Sequence, residues 1–295
     1  MGRSSWAAVA AIPLLVLVSA CGAQPAADAA PPAPPAAASL GADEVALRVT
    51  YTGGFVTPQS IPGRVPALSV YGDGRVITEG PVPAIYPGPA LPNLQQTRIS
   101  ESDVDALVKR AVAAGVGATT DLGQPGVADA STTRFLVTTE NGIRQTDAYA
   151  LDMSSDDAQL DATQKAARKK LSDLLAALQD LPATLGAGAV REEGGYQAKA
   201  IAGIATPYVK PEQPLELEPP VPVDWPGPAL PGDRLNPAVE VGCVTATGDQ
   251  AQAVLTAAGK ANAMTPWLSE DEQWSVLLRP LLPDESGCVD LAKQS

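Results

Sequence analysis

Few residues of this chain can do chemistry, and cysteine is the most informative of them. There are three: Cys21, Cys243 and Cys288. Cys21 closes the string Val18-Ser19-Ala20-Cys21, after an uncharged apolar run from Trp6 with Arg3 ahead of it. A charged start, an apolar stretch of about 7–15 residues and small residues before the cut mark a secretory signal. With cysteine at the cut, the expected chemistry is transfer of a diacylglyceryl group to the thiol and cleavage before Cys21. An ordinary signal cut nearby, with Cys21 incidental, is the alternative. A spanning helix needs about 20 apolar residues; this run is shorter and contains Pro13. Each buried CH₂ contributes about 0.8 kcal/mol, so several acyl chains on one residue would hold the protein stably at a bilayer.

Assigning Cys21 to lipid leaves Cys243 and Cys288. Two cysteines in an exported chain most simply form a disulfide. Closing a loop of about 45 residues stabilises a fold by roughly 4 kcal/mol in the chain-entropy treatment. The spacing is not C-x-x-C, which argues against a redox pair. Histidine is absent altogether. Its absence removes Ser-His-Asp and Cys-His catalysis, His-ligated zinc and the usual general base near neutral pH.

Carboxylates remain. Glu270-Asp271-Glu272 follows Thr265-Pro-Trp-Leu268, and two acids could in principle work on a glycan. Adjacent acids ahead of a strand are more simply solvated. Asp73 lies in Gly72-Asp73-Gly74, a pattern shared with calcium loops, but oxygen ligands at alternating positions are missing, so it reads as a turn. The acidic run Asp152–Asp157 could bind a cation, but it more simply favours the start of the following helix electrostatically and keeps the loop solvated. There is no G-x-S-x-G, phosphate loop, G-x-G-x-x-G or EF-hand loop. No catalytic residue, cofactor or metal ligand is therefore assigned.

The aromatic residues offer a different kind of candidate. Tyr86-Pro-Gly-Pro-Ala-Leu-Pro92 recurs as Trp225-Pro-Gly-Pro-Ala-Leu-Pro231. Tyr86 and Trp225, together with Trp267, could form a binding rim, since proline stiffens the backbone and an exposed aromatic makes a low-entropy contact. Alternatively, each loop folds back and plugs its aromatic into the core edge, because aromatics make up only 4% of the chain and a core needs them.

The chain has 20 basic and 33 acidic residues, a net charge of −13. Removal of residues 1–20 takes away only Arg3 among the charged residues. An acidic chain without a basic cluster is a poor partner for nucleic acid or anionic headgroups. Residues 22–39 hold nine alanines and five prolines, a composition that cannot bury enough apolar surface to fold. The expected divisions are a signal peptide over 1–20, the lipidated Cys21 with a disordered tether over 21–42, an α+β unit over 43–182 and a second over 196–295. The last two could pack as one domain.

Periodicity supplies the elements. Val45, Leu47, Val49 and Tyr51 alternate as a half-buried strand. Leu68–Tyr71 and Arg75–Thr78 flank the Asp73 turn as a hairpin, and Thr133–Thr139 and Ile143–Leu151 flank Asn141-Gly142 as another. Ser100 with Asp103 predicts a helix cap stapled by Ile99 and Val104, with Gly115 ending the helix. A second helix runs from Asp161, capped with Gln164, to Asp180, with Pro182 as its stop. Residues 183–195 read as a linker, 196–208 as a strand and 209–238 as too proline-broken for a regular element. Strand Val239–Thr245, helix Asp249–Ala258 under a Thr247/Gln250 cap, and strand Gln273–Arg279 complete the pattern. The fold class expected is α+β, a mainly antiparallel sheet of hairpins with about three packed helices.

The chain resembles actinobacterial lipoproteins of no assigned function. The resemblance rests on the lipobox, the Ala/Pro tether, Tyr71-Gly-Asp-Gly-Arg-Val-Ile77, Tyr86–Pro92, Met264-Thr-Pro-Trp267 and Arg279-Pro-Leu-Leu-Pro-Asp284. It implies a cell-envelope location and brings no catalytic residues. The function expected is a non-catalytic binding or interaction module, anchored on the outer face of the cytoplasmic membrane, whose partner is an envelope protein or a small molecule. The alternatives are a carrier of a small molecule or lipid and, third, a wall hydrolase using carboxylates.

Overall fold

Strand β1 (Val45–Gly53) shows why the chain folds as it does: Leu47 and Val49 face one way into the core, and Arg48 between them faces the other. In the computed structural model the described residues are 40–57, 60–153, 156–210, 221–235 and 240–293. Of the signal peptide, Cys21 and tether expected over 1–42, residues 1–39 lie outside them, while Leu40 packs against the core of the first sheet instead of belonging to a tether. Residues Ala38–Ser295 form one compact unit.

β2 (Leu68–Tyr71) and β3 (Arg75–Glu79) pair as the expected hairpin, with Leu68 opposite Thr78. Gly74 has φ +85°, and a Cβ there would stand 2.1 Å from the Ile99 carbonyl oxygen, so the turn requires glycine. β4 (Leu94–Arg98) follows, then helix α1 (Glu101–Ala114). Ser100 and Asp103 form the predicted capping box, and Gly115 closes the helix in the left-handed conformation. β5 (Ser131–Thr139) and β6 (Gly142–Tyr149) are the second hairpin. A single 3₁₀ turn, Leu151–Met153, leads to α2 (Ala162–Gln179), capped by Asp161 and Gln164 as expected. Pro182 sits in the first turn of α3 (Leu181–Leu185), where its missing N–H costs nothing.

The expected linker over 183–195 begins in α3 and ends in a strand. β7 (Arg191–Gly195) pairs with β4 and completes a seven-stranded sheet in the order β6-β5-β1-β2-β3-β4-β7. Val104, Leu107 and Ala111 of α1, with Leu171, Leu174, Leu175 and Leu178 of α2, bury one face of this sheet.

The second sheet is built from β8 (Ala200–Pro207), β9 (Val223–Asp224), β10 (Asp233–Arg234), β11 (Gly242–Thr247), β12 (Pro266–Ser269) and β13 (Glu272–Pro280), in the order β10-β11-β8-β13-β12-β9. All pairs are antiparallel except β9 with β12. Two short strands thus lie in the stretch read as unstructured, and Val239 lies outside the described residues. α4 (Gly248–Ala258) packs on one face through Ala251, Val254 and Ala258. α5 (Cys288–Ala292) packs on the other through Leu291. Thr247 occupies the N-cap but makes no capping bond, a departure from the expected cap. Gly248 stands at φ 54°, outside helical space, whereas a capping box needs a helical first turn. Cys243 and Cys288 are bonded, with sulfurs 2.06 Å apart, tying α5 to β11. The architecture is α+β, with three long helices and two of five residues among the described residues.

Candidate functional site

The two copies of the proline string reach the same core by different routes. Trp225 is 8% exposed and Trp267 1% exposed. Their rings meet edge to face at 5.4 Å. Trp225 lies over Gly203, where a Cβ would stand 3.0 Å from the ring, and its indole N–H donates to the Pro228 carbonyl at 2.6 Å. Leu230 of the second string and Ala90 and Leu91 of the first join the same apolar cluster. Trp225 and Trp267 are therefore core residues and form no rim, because a backbone free of side chain at Gly203 gives the Trp225 indole a dry seat.

Tyr86 behaves oppositely, at 69% exposed, beside Val82 at 64% and Ile85 at 63%. Its loop is fixed at the base. Gly80 N–H donates to the Asn93 carbonyl at 2.7 Å, Asn93 Nδ2 to the Pro81 carbonyl at 2.8 Å, and Ala263 N–H to the Gly88 carbonyl at 2.9 Å. The peptide bonds Tyr86-Pro87 and Leu230-Pro231 are cis, at opposite ends of the repeated string.

An open groove of about 620 Å³ runs beside α4. Val223, Asp224 and Pro226 form one wall; Gln252, Ala253, Thr256 and Ala257 of α4, with Lys260 beyond it, form the other. The helical spacing places these α4 residues on the face opposite Ala251, Val254 and Ala258. The lining is mainly apolar, with one carboxylate and one ammonium, a composition suited to recognition. A smaller hollow of about 220 Å³ lies between the end of α1 and α2, lined largely by alanines and threonines.

The strongest electrostatics lie between the sheets. Arg48 of β1 holds Asp284 through two hydrogen bonds of 2.9 and 2.7 Å, while the Tyr71 hydroxyl donates to the same carboxylate at 2.8 Å. Burial pushes the Asp284 carboxyl up, but Arg48 and Tyr71 outweigh it and hold it below its ordinary value. Burial raises the Tyr71 hydroxyl far above its usual range. Arg279 and Glu285 pair at 2.8 Å with side chains 0% and 2% exposed. Glu285 also accepts from the Leu282 N–H at 2.7 Å, and Arg279 Nε donates to the Arg64 carbonyl at 3.2 Å. Tyr196 donates to the Leu281 carbonyl at 2.8 Å; burial pushes its pKa up to about 12. The sequence pointed to none of these pairs. Arg48 carried a faint signal, a charge between apolar alternates, but its partner is 236 residues away.

The acids weighed for glycan chemistry occupy a tight turn instead. Glu270 and Asp271 have φ of 53° and 64° between β12 and β13, exposed to solvent. The backbone, rather than a substrate, explains their place. Asp73 is engaged by Arg75 at 2.8 Å and Arg98 at 3.5 Å, as a turn residue. Among the described residues no group of three or more His, Cys, Asp or Glu could hold a metal ion, and no helix is long and apolar enough to cross a membrane. Compared with protein-family models, curated proteins and solved structures, the chain matches none of them.

Proposed function

We propose that this chain is an extracytoplasmic lipoprotein, acylated at Cys21, whose folded part is a non-catalytic binding module of the cell envelope. Its carrying observation is the use of the paired carboxylates between the sheets. Asp284 and Glu285 are each committed to an arginine, and the shift at Asp284 is toward the ionised form. A general acid needs a carboxyl raised toward neutral pH, so these groups suit holding two sheets together better than moving protons. What faces solvent is a recognition surface: the groove beside α4 and the Tyr86 loop. The signal-like first 20 residues and the Cys243–Cys288 bond support placement outside the cytoplasm.

A carrier of a small molecule is the second reading, favoured by the groove volume of about 620 Å³, within the roughly 300–1,000 Å³ typical of ligand sites. Native mass spectrometry of the protein purified from its own membrane tests both. The mass expected is that of residues 21–295 with acyl groups. A defined co-purifying small molecule would move the assignment to the carrier, and an unmodified Cys21 would overturn the anchor.

A further inference from the structure

Resting on the lipid anchor proposed above, we infer that the tip Val82-Pro-Ala-Ile85-Tyr86 is a second bilayer contact, dipping into the headgroup region and orienting the folded part on the membrane. Three large apolar side chains stand exposed within five residues. No charged residue occurs from Gly80 to Thr97, although the chain carries a net charge of −13. Tyrosine and aliphatic side chains with no nearby charge suit the boundary between headgroups and acyl chains. The loop is also preorganised. Its bonds to Asn93 and Ala263 hold the base, and five prolines between 81 and 92 stiffen it, so little entropy is lost on contact. The second copy of the string shows the other outcome, with Trp225 turned into the core.

Three side chains alone would bind a bilayer only marginally. Anchorage changes that, because a linked second site sees a local concentration in the millimolar range. The chain reaches β1 at the end of the first sheet that carries the Gly72–Gly74 turn, and the Tyr86 loop leaves the opposite end, after Glu79. A nine-residue strand such as β1 spans about 30 Å. The 18 residues between Cys21 and Leu40 could reach about 56 Å if extended. Anchor and tip can therefore meet the same bilayer. The acidic body argues for neutral headgroups over anionic ones.

The test uses the full acylated chain with Ile85→Cys, reconstituted in phosphatidylcholine vesicles. With Cys21 acylated and Cys243 bonded to Cys288, position 85 carries the sole free thiol and takes an environment-sensitive fluorophore. Its emission should rise several-fold on reconstitution and be quenched by spin-labelled lipid. The same probe at Ile143→Cys, at the opposite end of the sheet and 69% exposed in the native protein, should stay in water. Adding Val82→Ser and Tyr86→Ser should return the position 85 signal to its aqueous level without changing the thermal midpoint. A probe at 85 as wet as that at 143 would sink the inference. So would a rise without vesicles that grows with protein concentration, which marks self-association, or one requiring an added envelope protein. The mass of the Cys21 peptide separates the two levels: no acyl group ends the anchor reading, whereas an acylated chain with a wet tip ends only this one.

Discussion

Trp225 and Trp274 share one apolar cluster with their indole nitrogens in opposite situations. Trp225 Nε1 has the Pro228 carbonyl at 2.6 Å; among the described residues no acceptor reaches the buried Nε1 of Trp274. Phenylalanine removes the same volume at both places but a hydrogen bond at only one. Trp225→Phe should therefore destabilise more than Trp274→Phe, by about 1 kcal/mol, in urea unfolding. Equal losses would mean that the Trp225 bond adds nothing net.

Local chemistry decided which elements could be read from the sequence. The boxes at Ser100 and Asp161 form because both halves of a cap lie within four residues. Ser100→Ala should cost about 1 kcal/mol. Thr247→Ala should leave the thermal midpoint unchanged, since the hydroxyl caps nothing. β4 (Leu-Gln-Gln-Thr-Arg) and β7 (Arg-Glu-Glu-Gly-Gly) show no apolar alternation, and they were illegible for that reason. Their attachment is a backbone ladder reinforced by Glu193, whose carboxylate accepts from Arg98 at 2.8 Å, Gln96 at 2.6 Å and Arg191 at 2.7 Å. Those bonds, Arg98 first, hold its pKa at about 2 against an ordinary 4.5. A depressed folded value stabilises fully above the ordinary pKa and is lost as pH falls through the folded one. Amide exchange along Arg191–Gly195 should thus quicken relative to β1 as pH drops from 4.5 toward 2, and Glu193→Gln should remove that pH dependence. The rim was half legible for a related reason: the six residues after each aromatic are identical, and the seat that takes Trp225 into the core is Gly203, a distant residue that no local pattern points to.

At the scale of the whole molecule, the two sheets are joined by residues 281–288. Asp284 reaches β1 and β2, Glu285 reaches Arg279, and Cys288 is bonded to β11. Removing one partner of a buried pair leaves an uncompensated charge, costing about 3–5 kcal/mol, while replacing both by apolar groups can be neutral. Glu285→Leu should therefore unfold at much lower urea than the parent, and Arg279→Met with Glu285→Leu should recover most of the loss. A double variant no better than the single would show that Arg279 and Glu285 act separately. The placement of these acids also sets a clock. Arg48 is made early and its partner 236 residues later, and synthesis proceeds from the N-terminus. The first sheet can form its ladders but keeps an unmatched charge until Asp284 arrives. A chain clipped before Asp284 retains that flaw and opens more readily to proteases. The segment carrying Asp284 thus works as a late stamp on the first sheet, telling chains that reach it from chains broken short of it without any further device.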